Sequence, residues 1–384
     1  MKFNKAKLVL ASALVFSFGM TGCSDWTEAR PEQMTDYDNT EIAKPESYFE
    51  ALRAYKKTEH SIAFGWYADW VDANAATTNM LAGIPDSMDV VSLWGGWSNL
   101  NEGRWADVRL VQEKKGMKVM PCTFTTCIGN NFTPEEFNGS DEARHEFWGW
   151  VNDDPEAIEG AIRKYAHAML DTIAKYNYDG IDIDYEPHFG YGGELSSYND
   201  RMHILIEELG KHIGPMSPNP EKLLIVDGEP QSLDPKTGAY ISYFVIQAYS
   251  GTQGSPSFWS MNMANLDARL KKLLDKFTQA GEDGNPVLTE EQITNRTVMT
   301  ENLEPAMEAL NGGYKFYDRN GMQMFFDAAH KEMVPSMVGM AMWEPTNGFR
   351  KGGFGAYKFS NEGVNKPAFK WMRKAIQVQN PAVN

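Results

Sequence analysis

Asp179-Gly180-Ile181-Asp182-Ile183-Asp184-Tyr185-Glu186 packs four carboxylates into eight residues, and Pro187 follows at once. In an extended strand successive side chains point to opposite faces. Asp182, Asp184 and Glu186 therefore share one face, while Ile181, Ile183 and Tyr185 share the other. A strand of this kind has work on both sides: an apolar face to bury and a ladder of acids to present. An acidic edge strand and a cation site are two readings of it. The third is a strand end that delivers a general acid and two supporting carboxylates to a cleft. Asp179 has the opposite parity to the ladder and reads as structural.

Working outward, short apolar runs recur at 62–66, 90–94, 118–124, 180–186, 223–227, 243–249, 298–303 and 337–343. Most are nearly continuous in apolar residues, the pattern of strands buried on both faces of a parallel sheet. Helical patterns lie between them. The clearest begins at Asp154-Pro155, an N-cap with proline at the first helical position, and carries a stripe of Ile158, Ile162, Tyr165, Met169 and Ile173. Another runs through Met202, Leu205, Ile206 and Leu209, and a third spans 266–277. Eight strand candidates alternating with helices predict an α/β fold, a single (β/α)8 TIM barrel; a doubly wound open sheet is the structural competitor. In such a barrel, catalytic residues sit at the C-terminal ends of the strands. The ladder ends the fourth candidate strand, with Pro187 stopping it. The loops expected on that face are aromatic: Phe132, Phe137, Phe147, Trp148 and Trp150 after the third strand, Phe189 and Tyr191 after the fourth, Phe258 and Trp259 after the sixth. Most such rings pack onto a barrel rim, so only a minority is expected to touch a ligand.

The 384 residues carry a net charge of −16, which argues against nucleic acid or an anionic membrane surface as a partner and suits a neutral ligand such as a sugar. Lys2, Lys5 and Lys7 precede an apolar run from Leu8 to Met20, and Thr21-Gly22-Cys23 follows. The run is too short for a lasting transmembrane helix and reads as a signal peptide, residues 1–22. Its end resembles a bacterial lipoprotein box in which Cys23 is lipidated and becomes the new N-terminus; a plain signal peptide is the competing reading. Residues 23–45 then form the lipidated cysteine and a polar, acidic tether, and 46–384 the folded domain. Contact with a membrane would be through the N-terminal lipid alone, at the outer membrane and facing outward. Cys122 and Cys127 remain as free, buried thiols, so no disulfide framework is expected. No H-E-x-x-H pair and no glycine-rich phosphate loop is present, and no metal or cofactor is expected.

The stretch 179–186 resembles the DGxDxDxE signature of glycoside hydrolase family 18, on the strand where that family carries it. Gln247-Ala248-Tyr249 is similar to the family's Gln/Met-x-Tyr element, and Trp343 would end the eighth strand, where many members have a tryptophan floor under the reacting sugar. The resemblance implies a retaining, substrate-assisted cleavage in which the sugar's 2-acetamido oxygen is the nucleophile and an oxazolinium ion the intermediate. Glu186 would be the acid and then the base. Asp184 would orient the acetamido N–H, Asp182 would share a proton with Asp184, and Tyr249 would hold the acetamido carbonyl in line. Gln247 and Trp343 would bind substrate. The third strand departs from the S-x-G-G element usual in chitinases, having Met120-Pro121-Cys122-Thr123-Phe124, and no compact inserted domain is evident. Both departures resemble the endo-β-N-acetylglucosaminidase branch, which cuts between the two core N-acetylglucosamines of N-linked glycans. A chitinase and a non-catalytic surface glycan-binding lipoprotein are the alternatives.

Overall fold

The computed structural model of the chain describes residues 44–70, 79–189, 192–196, 199–251, 260–281, 284–327 and 329–381. Eight parallel strands close into a barrel: β1 (Ile62–Tyr67), β2 (Val90–Leu93), β3 (Lys118–Phe124), β4 (Gly180–Tyr185), β5 (Leu223–Gly228), β6 (Tyr243–Gln247), β7 (Thr297–Asn302) and β8 (Gly353–Tyr357). Each pairs with its neighbours in sequence and β8 pairs back onto β1, so the barrel has no free edge. The alternating pattern places seven of these strands correctly, and β6 ends two residues early, at Gln247.

Strand parity divides the core in two. Ile62, Phe64, Trp66, Val90, Met120, Cys122, Ile225, Val245 and Val298 point inward and fill the barrel. Residues of the other parity, among them Ile181, Ile183 and Tyr185, face the surrounding helices in the larger cluster. Those helices are α1 (Glu46–Tyr55), α2 (Glu102–Lys115), α3 (Asp141–Trp148), α4 (Pro155–Tyr176), α5 (Asn199–Gly210), α6 (Met263–Phe277), α7 (Glu290–Asn295), α8 (Ala306–Asn311), α9 (Ser336–Met342) and α10 (Lys370–Gln379). In α4, the Asp154 side chain accepts from the Glu156 and Ala157 amides, Pro155 occupies the first turn, and the predicted stripe is buried.

The eighth predicted strand is a correction. Residues 337–343 belong to α9 and the turn after it, and the barrel is closed by Gly353–Tyr357 instead. Every residue from Ser336 to Ala341 is buried, so no polar face marks a helical period, and a short apolar run of this kind reads equally as strand or helix. The true strand, Gly-Phe-Gly-Ala-Tyr, hides behind two glycines. They are there for closure: a Cβ on Gly353 would lie 2.1 Å from the Ile62 carbonyl oxygen. No described helix is long and apolar enough to cross a membrane. Cys122 and Cys127 are free, Cys122 buried and Cys127 only half-buried. Residues 1–43, which hold the expected signal peptide, Cys23 and most of the expected tether, lie outside the described residues.

Candidate active site

The ladder emerges at the C-terminal mouth of the barrel as parity requires. Asp182 and Asp184 point into the barrel, 0% and 2% exposed, and Glu186 sits half-buried just past the end of β4. Burial pushes the Glu186 carboxyl above its usual range, Gln247 partly opposing and Glu229 adding to the rise. A neutral, proton-bearing Glu186 is what a general acid needs. Beneath it, Gly228 ends β5 with φ +84°, and a Cβ there would lie 2.7 Å from the Tyr185 carbonyl and 3.0 Å from Glu186 Cγ. Only glycine lets β5 pass so close under the acid. Asp179 is structural as its parity implies, accepting from Gln112 Nε2 at 2.7 Å and the Val119 amide at 2.9 Å.

Asp182 Oδ2 accepts from the Trp66 indole at 2.9 Å and from Ser92 Oγ at 2.6 Å. Its other oxygen is buried and unpartnered, with the Cys122 thiol and a neighbouring carboxyl close by. That neighbour is Asp227 on β5, which sequence reading missed. Its carboxylate, that of Asp182 and the Cys122 thiol lie within 4.8 Å of one another. A buried acceptor left unpaired is costly. A proton on Asp227 removes the orphan by donating to Asp182, and Asp227 hydrogen-bonds Asp184 as well. The proton expected between Asp182 and Asp184 therefore runs through Asp227.

Gln247, at the end of β6, donates to Asp227 Oδ1 at 3.0 Å and reaches Asp184 Oδ1 at 3.5 Å. Burial, and then the charges of neighbouring acids, hold Asp184 and Asp227 well above the carboxylate range. Burial raises Asp182 to about 6 against the donors of Ser92, Asp227 and Trp66. The spacing of Cys122, Asp182 and Asp227 is one a cation would accept, yet two of the carboxylate oxygens already face N–H and O–H donors. The set reads as a proton-sharing cluster.

An aromatic wall faces the ladder. The Tyr249 ring stacks on Tyr357 at 6.2 Å and 28°. Tyr357 in turn meets Trp94 edge-on at 5.3 Å and Trp66 at 6.2 Å. Burial pushes the Tyr249 phenol well up, and Asp227, Asp184 and Glu186 all face it, so the hydroxyl stays protonated and can donate. The residue after it is pinned: the buried Glu301 accepts from the Ser250 amide at 2.9 Å.

Trp343 is not part of this wall. It follows α9, is fully buried in the helical layer, and donates its indole N–H to Asp267 at 2.9 Å. Tyr357, the last residue of the true eighth strand, occupies the place expected of it. The signal that could have found Tyr357 is a strand-length run between Lys351 and Lys358 ending in an aromatic. Asp227 was legible as the single acid on the fifth strand, with the parity of inward-facing Ile225.

The loop aromatics mostly pack downward. Trp148 and Trp150 are buried, and Phe132 lies against Trp97 and Tyr165. Phe189 is 78% exposed and, with Glu186, Glu229, Gln231, Gln247 and Arg269, lines a cavity of about 150 Å³ beside the acid. Tyr191, Phe258 and Trp259 lie outside the described residues.

With this geometry in view, comparison with known proteins is direct. The profile of glycoside hydrolase family 18, BT1044-like, matches residues 27–378. Endo-beta-N-acetylglucosaminidase F2 of Elizabethkingia meningoseptica is 23% identical over 350 residues, 86% of this chain and 85% of that protein. Endo-beta-N-acetylglucosaminidase EndoS of Streptococcus pyogenes serotype M1 is 21% identical over 347 residues, 83% of this chain but only 32% of the longer protein. Among solved structures, a selenomethionine BT1044 carrying a glutamate-to-glutamine change superposes with a TM-score of 0.70 at 27% identity, covering 90% of this chain and 96% of that one. The apo endo-beta-N-acetylglucosaminidase of Cordyceps militaris shares the fold at a TM-score of 0.56 and 20% identity, covering 90% and 99%. A signature, a barrel and a full-length profile agree, and the chain belongs to glycoside hydrolase family 18, in its BT1044-like group.

Proposed function

We propose that the chain is an endo-β-N-acetylglucosaminidase that hydrolyses the β-1,4 bond between the two core N-acetylglucosamines of N-linked glycans, with retention. One observation carries the mechanism. Glu186 alone of the ladder stands at the cleft edge, while Asp182, Asp184 and Asp227 are buried and tied to one another. The ladder offers no second carboxylate free to attack the anomeric carbon, which supports the substrate-assisted route that the family signature implies, with the 2-acetamido group as nucleophile. Glu186 gives its proton to the leaving oxygen and then takes one from the incoming water. Asp184 accepts the acetamido N–H and passes its own proton to the Asp227–Asp182 pair, so that its carboxylate balances the positive charge as it develops. Tyr249 donates to the acetamido carbonyl and holds its oxygen in line. Gln247, between Asp184 and Asp227, keeps the cluster in register, and Tyr357 with Trp94 offers rings for the sugar's apolar face.

The N-glycan core is supported as substrate by the relatives, two of which bear the name endo-beta-N-acetylglucosaminidase, and by a Cordyceps militaris structure in complex with fucosyl-N-acetylglucosamine-Asn. Mass spectrometry on a panel of defined N-glycoproteins tests it. The expected products are free glycan and a protein mass retaining one N-acetylglucosamine per site. Faster cleavage of chitotetraose than of any glycoprotein would instead make the chain a chitin-type hydrolase. The lipid anchor at Cys23, and with it an outward-facing place at the outer membrane, is part of the same proposal. Incorporation of labelled fatty acid into the wild type but not Cys23→Ala supports it; equal labelling sinks it.

A further inference from the structure

The opposite pole of the barrel holds a second cavity, of about 240 Å³, surrounded by the first residues of several strands and by the segment joining α1 to β1. Three cations line it: Lys56, Lys118 and Arg350. Each uses one donor on a backbone carbonyl. Lys56 Nζ bonds the Met88 oxygen, Lys118 Nζ the Glu221 oxygen at 2.6 Å, and Arg350 Nη1 the His60 oxygen at 2.7 Å. Among the described residues none of the three bonds a carboxylate. Tyr243 also lines the cavity, and its hydroxyl has no hydrogen-bond partner among the described residues.

Two acids reach the same space. Asp89 is already engaged, by His60 Nε2 at 3.1 Å and the Ala63 amide at 2.8 Å. Glu59 is exposed. Three cations against two carboxylates is a local positive surplus in a chain whose net charge is −16. Burial pulls the Lys56 ammonium down to about 8, and the charges of Asp89 and Asp86 only partly oppose it.

We propose that this cavity binds a tetrahedral oxyanion, a phosphate or sulfate group, held by Lys56, Lys118, Arg350 and the Tyr243 hydroxyl. The donor set selects that chemistry. A neutral sugar would leave the surplus charge uncompensated, and a carboxylate offers two oxygens where four side chains on separate segments line one cavity. An ammonium, a guanidinium fork and a phenol together match an oxyanion with three or more acceptors. The group would belong either to an anionic lipid headgroup, at the membrane to which Cys23 would tether the chain, or to a soluble phosphate or sulfate ester.

Calorimetric titration of inorganic phosphate into the full chain tests the site, with sodium chloride of matched ionic strength as control. Lys118→Met and Arg350→Gln are suitable variants, since neither side chain is buried and both are remote from the acid ladder. Saturable phosphate binding, weakened about tenfold or more in each variant, is the expected result. Heats no larger than those of chloride, or equal affinity in wild type and both variants, overturn it. A vesicle arm separates the two sources, using the full chain with Cys23→Ala so that no acyl chain contributes. Retention on phosphatidylglycerol vesicles but not on phosphatidylcholine alone, lost in Lys118→Met/Arg350→Gln, assigns the site to a headgroup. Phosphate binding without such retention assigns it to a soluble ester.

Discussion

The two faces of β4 (Gly180–Tyr185) do opposite things for the molecule. Outward, Ile181, Ile183 and Tyr185 are buried against the helical layer, in contacts that hold the barrel together. Inward, Asp182 and Asp184 are buried just as deeply, beside Asp227 and Glu186, acids like themselves. Burying an apolar side chain stabilises by about 1.5–3 kcal/mol, whereas burying an acid forces it to keep a proton it would lose in water. One strand thus supplies stability on one side and gives some of it up on the other, where the proton is needed for chemistry. Register separates the two roles by a single residue, since a slip of one would exchange the faces.

The sharpest way to break this contrast is Glu186→Gln. It should lower turnover about a thousandfold in a glycan-release assay while glycan binding, read by calorimetry, survives. Equal turnover in both proteins would remove Glu186 from the acid's role. On the opposite face, Ile183→Ala should cost about 2–5 kcal/mol in denaturant unfolding and leave the turnover of the folded fraction unchanged. A fall in turnover at full folding would mean that the faces are not independent.

Asp227→Asn probes the inward face from the neighbouring strand. Turnover should drop about tenfold with little change in KM, while stability at neutral pH rises by about 1–3 kcal/mol, because one buried acid is gone. The pH dependence has a defined sign. The Asp182 carboxyl, raised by burial from its usual 3.8 to about 6, favours folding in full below pH 4 and loses that contribution as pH rises through 6. Thermal unfolding of the wild type should therefore decline across that window, and the decline should be steeper in Asp227→Asn, which weakens the donor bond that holds the rise of Asp182 in check. Parallel curves would show that Asp227 is not coupled to Asp182. The smallest effects come from the two aromatics that compete for one role. Tyr357→Ala should raise KM several-fold, and Trp343→Phe should leave KM alone while costing about 1 kcal/mol through the lost bond to Asp267.

Those two aromatics also show where reading a sequence stops. The ladder, its parity, seven of the eight strands, the capped α4 and the partners Gln247 and Tyr249 are visible because each depends on alternation, spacing or capping within a few residues. Trp343 misled because residues 337–343 are apolar all round. Whether such a run becomes strand or buried helix depends on what surrounds it. Tyr357 was hidden by glycines whose purpose, the close approach of β8 to β1, exists only once the barrel is closed. Asp227 carries only a faint local signal, a single acid of inward parity on the fifth strand. It matters because β5 pairs in register with β4 and sets Asp227 beside Asp184, 43 positions away in the chain.

The sequence by itself determined that this chain builds a parallel barrel with a ladder of acids at the end of its fourth strand. Period and parity are local properties, and they survive in a one-dimensional reading. Tertiary structure alone decided which carboxyl completes the proton-sharing cluster, which aromatic faces it, and which segment closes the sheet. Those outcomes rest on strand register and on burial, which set distances and local dielectric between residues far apart in the chain.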